Sequence, residues 1–246
     1  MIKVIIMLTK FIIAFTIALF LNSCNIKTDF RTGEDGNGKL TTEVRDINKD
    51  FSSIDVDSGI EVVLQQSNDQ FVSVETDSNL QKLIDTKVYK GILYISPNVS
   101  VNPTKTIKVI VRTPNIEGLE ASSGSKIKGL DTFKGEAISI DASSGAEIEV
   151  NLKYENIKLD SSSASTIKAY GLAIKLEISA SSGSEIIADE LLVNEIDASA
   201  SSGSNMKIHP ILKLTAKASS GSNIIYDIEP KSISKDESSG GNVGRE

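Results

Sequence analysis

The chain has 246 residues, 24% of them charged and 39% hydrophobic, with no Trp and only 5% aromatic residues. Those proportions exclude a disordered polymer and a core built on large aromatic side chains; they favour thin, β-branched layers. A formal charge of −7, from 33 acidic against 26 basic residues, argues against nucleic acid as a partner and against direct docking on anionic lipid headgroups.

Lys3 and Lys10 flank a short apolar stretch, and Phe11 to Leu21 (FIIAFTIALFL) forms a hydrophobic run of eleven residues. Eleven are too few to cross a hydrocarbon layer of about 30 Å as a helix, so residues 1–23 read as a signal peptide. Leu21-Asn22-Ser23-Cys24 follows, and Cys24 is the only cysteine, which excludes an intrachain disulfide. These four residues resemble the lipobox of bacterial lipoproteins, with Asn22 departing from the usual small residue. The resemblance implies that Cys24 is lipidated, becomes the mature N-terminus and holds the protein to a membrane. Stable anchoring needs more than one acyl chain, a condition a diacyl or triacyl cysteine meets. Without Lys3 and Lys10 the mature chain keeps 24 basic residues against 33 acidic ones, a formal charge of −9. Asn25 to Asp29 (NIKTD) carry no acidic run that would suggest surface export. The expectation is an outer-membrane lipoprotein, with the periplasmic face favoured over the cell surface.

Residues 24–42 are polar, Gly-rich and without periodicity, and read as a flexible tether. A head domain is expected over 43–246. Its first part, 43–116, carries alternating segments that predict strands at Ser53–Val56, Ile60–Leu64, Phe71–Val74, Ile92–Ile95 and Ile107–Val111. Asn79–Lys87 (NLQKLIDTK) is the one stretch that suggests a short helix or a turn.

The second part, 117–246, is a repeat. Ser-Ser-Gly and its variants recur as SSGSKI at 122, SSGAEI at 143, SSASTI at 162, SSGSEI at 181, SSGSNM at 201, SSGSNI at 219 and SSGGNV at 238. The copies are 18–21 residues apart. Three residues after the Gly position stand Ile127, Ile148, Ile167, Ile186, Met206, Ile224 and Val243; three before it stand Ala121, Ala142, Ser161, Ala180, Ala200, Ala218 and Glu237. Odd offsets are apolar or small and even offsets polar, which is strand alternation with one buried face. The pattern predicts an all-β solenoid of about seven rungs, stacked like on like, at about 4.8 Å per step. Lys235 and Glu237 replace inward residues in the last copy, as a solvated end cap requires.

The stripe formed by Ser122, Gly124, Ser143, Gly145, Ser181, Gly183, Ser201, Gly203, Ser219 and Gly221 has two readings. One is a structural corner in which Gly supplies positive φ; the other is a flat interaction surface for a partner or a neighbouring subunit. The Ser before each Gly has inward parity and is expected to form a hydroxyl ladder. Glu120, Asp141 and Asp160 stand four before the Gly position in consecutive rungs and should line up as an acidic face, either solvated or poised to bind a cation.

The sequence offers no zinc site, no cysteine nucleophile and no phosphate loop. His209, the sole histidine, sits beside Pro210 in an expected turn. The abundant serines lack a base and an orienting partner. Tyr89, Tyr94, Tyr154, Tyr170 and Tyr226 share no common offset, which weakens a sugar-stacking face. The arrays of Thr-x-Thr that would suggest ice binding are absent. No catalytic residue, metal or cofactor is therefore expected.

The run FSSIDVDSGIEVVLQQ, then SVETDSNLQKLIDTKV, then GILYIS, followed by the Ser-Gly repeats, resembles the DUF2807 family of auto-transporter adhesin head GIN domains, common in Bacteroidetes. The likeness covers about residues 44–244. It implies a right-handed parallel β-helix, export to the envelope and no catalytic residues. The leading expectation is a non-enzymatic envelope lipoprotein that binds an envelope protein or glycan, or associates with itself. The alternative is a β-helix enzyme or glycan-binding protein acting on polysaccharide through the acidic face.

Overall fold

The alternation of the repeat becomes a stack of parallel strands. The computed structural model describes residues 33–246, so the signal peptide, Cys24 and residues 25–32 lie outside the described residues. The strands are β1 (Glu34–Asp35), β2 (Leu40–Val44), β3 (Ser53–Val56), β4 (Glu61–Gln66), β5 (Phe71–Asp77) and β6 (Ile84–Tyr89). Next come β7 (Ile92–Pro97), β8 (Val101–Asn102), β9 (Lys108–Thr113), β10 (Gly118–Ala121), β11 (Lys126–Ala142) and β12 (Glu147–Ser161). β13 (Thr166–Ala180), β14 (Glu185–Ala200), β15 (Asn205–Ala218), β16 (Asn223–Tyr226), β17 (Ser232–Glu237) and β18 (Asn242–Arg245) complete the column. Asn79–Lys87 resolves into a turn of 3-10 helix at Gln81–Leu83 followed by most of β6.

Together these strands form a β-solenoid. The strands that follow each Ser-Gly turn stack in the order β9, β4, β11, β12, β13, β14, β15, β16, β18. Those that precede it stack as β7, β3, β10, β11, β12, β13, β14, β15, β17. β11 to β15 are long enough to contribute to both series. Ile127, Ile148, Ile167, Ile186, Met206, Ile224 and Val243 are register partners in successive rungs, and all are buried. Burying each such side chain contributes about 1.5–3 kcal/mol. Stacking identical residues is what allows a thin rung to bury a face that it could not bury alone.

Each repeat turns on two residues with positive φ. In the first copy Ser123 and Gly124 have φ of 53° and 72°, and the Ser125 N–H donates to Ser122 O at 3.1 Å. That is the geometry of a type I′ turn. The Gly124 N–H donates to Ser144 O of the next rung at 3.0 Å, and the same link recurs up the column. Two central turn residues that both point outward correct the expected serine ladder: the Ser before the Gly is exposed, and the Ser after it is buried. Ser125, Ser165, Ser184, Ser204 and Ser222 each donate a hydroxyl hydrogen bond to a carbonyl one rung back, at 2.7–3.0 Å. Each bond is worth about 1 kcal/mol, and each keeps a buried hydroxyl satisfied.

Antiparallel strands close the N-terminal end, with β5 on β9, β2 on β5, and β6 on β7. At the other end Lys235 and Glu237 of β17 are exposed, as an end cap requires. The segment 24–42 departs from its reading as tether, because residues 33–42 are built into the head. β1 pairs with β8, and β2 starts at Leu40. Buried Asp77 holds this segment by accepting from Gly38 N at 2.7 Å, Thr104 N at 2.8 Å and Thr104 Oγ1 at 2.8 Å. The Thr104 backbone donor leads in holding its carboxyl below the usual range. A Cβ at Gly36 would collide with that carboxylate, so the polar, Gly-rich composition reflects close packing against Asp77.

Candidate functional site

A groove of about 1080 Å³ crosses the strands just before the turns. It opens where β11 to β15 bend, and register places its side chains in two columns. One runs Asn156, Lys175, Glu195, Lys213 and the other Lys158, Glu177, Asp197, Thr215. Lys158 is held by Asp160 at 3.0 Å. Among the described residues Lys175, Lys213, Glu177, Glu195 and Asp197 make no ion pair and no side-chain hydrogen bond, although Lys175, Glu195 and Lys213 alternate in sign; Glu177 and Asp197 set two carboxylates side by side in the other column. Their charges are free to meet a ligand. Buried Tyr154 closes one end, its hydroxyl donating to Ile116 O at 2.7 Å. Burial, with Glu117 nearby, pushes its phenol up to about 12. It is a fixed wall at neutral pH.

The acidic face lies two residues further along the same strands. Glu120, Asp141 and Asp160 are register partners, as the sequence placed them, and the structure adds Asp55 below Glu120. Burial, followed by repulsion from neighbouring carboxylates, raises the pKa values of Asp55, Glu120 and Asp141. A hollow of about 260 Å³ beside them is shared with Ser143, Ser162, Ser179 and Ser181. Among the described residues no three metal-ligating side chains converge on one position. The sequence signal for Asp55 was Asp55-Val56-Asp57-Ser58-Gly59-Ile60, where Ser58 and Gly59 have positive φ. The Gly59 N–H donates to Ser123 O at 3.1 Å, so this turn lies beneath the repeat column.

Ser122, Ser143, Ser181, Ser201 and Ser219 are half-buried at the first turn position. Gly124, Gly145, Gly183, Gly203 and Gly221 are exposed at the turn tips, with φ of 70–73°. A Cβ there would meet nothing within 4 Å, so the backbone angle, and not close approach, explains these glycines. The stripe is therefore a corner in its geometry. His209, expected in a turn beside Pro210, lies instead within β15 and faces Asp227 of the next rung, Nδ1 to Oδ2 at 2.7 Å. Cys24 lies outside the described residues.

A family model described as "Putative auto-transporter adhesin, head GIN domain" matches residues 50–230. No curated protein matches the sequence. Among solved structures, a "putative adhesin" from Bacteroides fragilis superposes with a TM-score of 0.82 at 18% identity, covering 87% of this chain and 100% of that one. A "putative adhesin" from Parabacteroides merdae gives 0.74 at 20% identity, over 87% and 99%. A "putative lipid binding protein" from Parabacteroides distasonis gives 0.72 at 19% identity, over 86% and 98%. At such identities these likenesses carry the fold alone.

Proposed function

From the premise that the chain belongs to the DUF2807 family of adhesin head GIN domains, we propose that it is a non-enzymatic binding head, held to the outer membrane by lipid on Cys24. The periplasmic face is favoured, because no acidic run follows Cys24. The groove is the ligand surface, and the observation that carries this reading is its set of uncommitted charges of both signs. Its volume suits a ligand segment of several units, whereas the 260 Å³ hollow at the carboxylates falls below the usual range for a small-molecule site, about 300–1,000 Å³. The acidic ladder also runs along a line, one rung per carboxylate, and does not converge across a scissile bond. It therefore borders a binding face.

Polar side chains projecting along several rungs suit an extended, hydrophilic chain such as an envelope glycan. The triple variant Lys175→Ala, Glu195→Ala, Lys213→Ala should leave melting unchanged and abolish retention of the head on purified envelope glycan. Undiminished retention would remove the groove from the account, and release of reducing ends from that glycan would replace a binding head with an enzyme. For the anchor, Cys24→Ala should eliminate acyl labelling and membrane retention; persistent labelling refutes the assignment.

A further inference from the structure

One bend of the column exposes aliphatic residues where polar ones would be expected. Lys134, Lys153, Leu172, Leu192 and His209 are consecutive register partners, and His209 contacts Asp227 in the next rung. Ile174, Ile211 and Ile228 flank this line. Leu172 and Ile174 are each 48% exposed, Leu192 39%, Ile211 36% and Ile228 42%. Five such residues on four successive rungs form a continuous ridge on the order of a few hundred Å², a size at which a patch on a monomer is often functional.

The order of charge along the ridge matters more than its size. It is basic at one end (Lys134, Lys153), apolar in the middle (Leu172, Leu192) and acidic at the other through exposed Glu229, since Asp227 beside it gives one oxygen to His209 and buries the other. A line that reads positive, apolar, negative is its own complement when rotated by half a turn about its midpoint. Glu136 and Glu155 lie two residues along from the lysines and make the rim there mixed in sign, but the register column itself is not.

We propose that this ridge is a homodimer seam. Two heads lie side by side and antiparallel about a two-fold axis between Leu172 and Leu192. In that arrangement Leu172 meets Leu192 of the other copy, Lys153 faces its His209, and Lys134 meets its Glu229. The contact is isologous, so it closes at two and does not propagate. The ridge with its polar rim buries on the order of 1,000 Å² in total, the low end for a specific interface, so the dimer is weak and concentration-dependent.

The compact unit 33–246 holds the whole described core and is the species to test, by sedimentation equilibrium over a wide concentration range. The unit should show a monomer–dimer equilibrium. Leu192→Asp should raise the dissociation constant at least about tenfold, the equivalent of about 1.4 kcal/mol, with an unchanged melting curve. Lys134→Glu and Glu229→Lys should each weaken the dimer, and the double swap should restore it. Within one chain these two residues lie five rungs apart, roughly 24 Å at the strand spacing, so restoration requires a second copy. A monomer at every concentration overturns the proposal, as does a dimer indifferent to Leu192→Asp or a double swap that fails to restore. A monomer that binds phosphatidylcholine vesicles through Leu192 also overturns it, and makes the ridge a lipid contact.

Discussion

In the first rungs of the column, the strands on the two sides of the turns carry opposite electrostatics. After the turn, Lys108, Glu61, Lys126 and Glu147 alternate in sign up the register. They pair at 3.8 Å (Lys108–Glu61) and 3.0 Å (Lys126–Glu147), and Lys168 adds a second contact to Glu147 at 3.1 Å. The hydrogen bonds from Lys126 and Lys168 hold the Glu147 carboxyl below its usual range. Before the turn, Asp55, Glu120, Asp141 and Asp160 stack with like charge on like charge, and three of them are pushed upward. The backbone spacing is the same on both sides. Stacking identical positions brings equal charges together unless the sequence alternates them, so the first ladder stabilises the column and the second opposes it. The opposing ladder borders the groove, on the face where the column carries its like charges.

Both ladders are spaced by turns of one type, repeated in every rung, so breaking such a turn should have the largest effect. Gly183 has a φ of 70° with open space around it, so Gly183→Val acts through backbone strain alone. A β-branched residue there should destabilise by about 1–2 kcal/mol or more, lowering Tm by about 2–4 °C per kcal/mol. Unchanged melting with a loss of binding or self-association would make the turn column an interaction surface. A smaller effect is expected from Glu147→Lys, which converts the alternating ladder into a like-charge one. Two half-exposed pairs are lost and repulsion replaces them, about 1 kcal/mol in all, and the loss should shrink in high salt. A salt-independent loss would locate the effect in packing.

The repeat was legible because period-two alternation and stacking leave the same trace in every copy: the Ile127-to-Val243 column and the Glu120–Asp141–Asp160 line follow directly from offsets. Asp55 escaped because β5 to β9 are inserted between its turn and the next, which breaks the spacing. The buried serine was misplaced because parity was carried through the turn, where Ser123 and Gly124 both leave the strand geometry. Residues 34–42 look like tether because Gly36 and Gly38 make the segment polar and small: the buried carboxylate that selects Gly36, Asp77, lies far away in sequence, and Gly38 is selected by its positive φ. The groove was invisible for another reason. Alternation says which side chains point outward, but not where a strand bends, and the bend is what gathers Lys175, Glu195 and Lys213.

The smallest effect separates the two ladders by pH. Asp55, Glu120 and Asp141 titrate above their ordinary values of 3.8, 4.5 and 3.8 in the folded chain. The folded state therefore binds more protons than the unfolded one between those values and the raised ones, and lowering the pH through that window stabilises. Glu147 is depressed below 4.5, so its contribution is present above that value and is lost as pH falls through the depressed one. Tm should rise modestly from neutral pH towards mildly acidic pH, then fall on further acidification. Asp141→Asn removes one member of the like-charge ladder. It should raise stability at neutral pH by a few tenths of a kcal/mol, in line with a half-exposed cross-strand pair, and flatten the rise. Glu147→Gln should leave the rise intact and soften the acid limb. A Tm that only declines from neutral pH downward, or a rise unaltered by Asp141→Asn, would mean that solvent screens the ladder and that its carboxylates are independent.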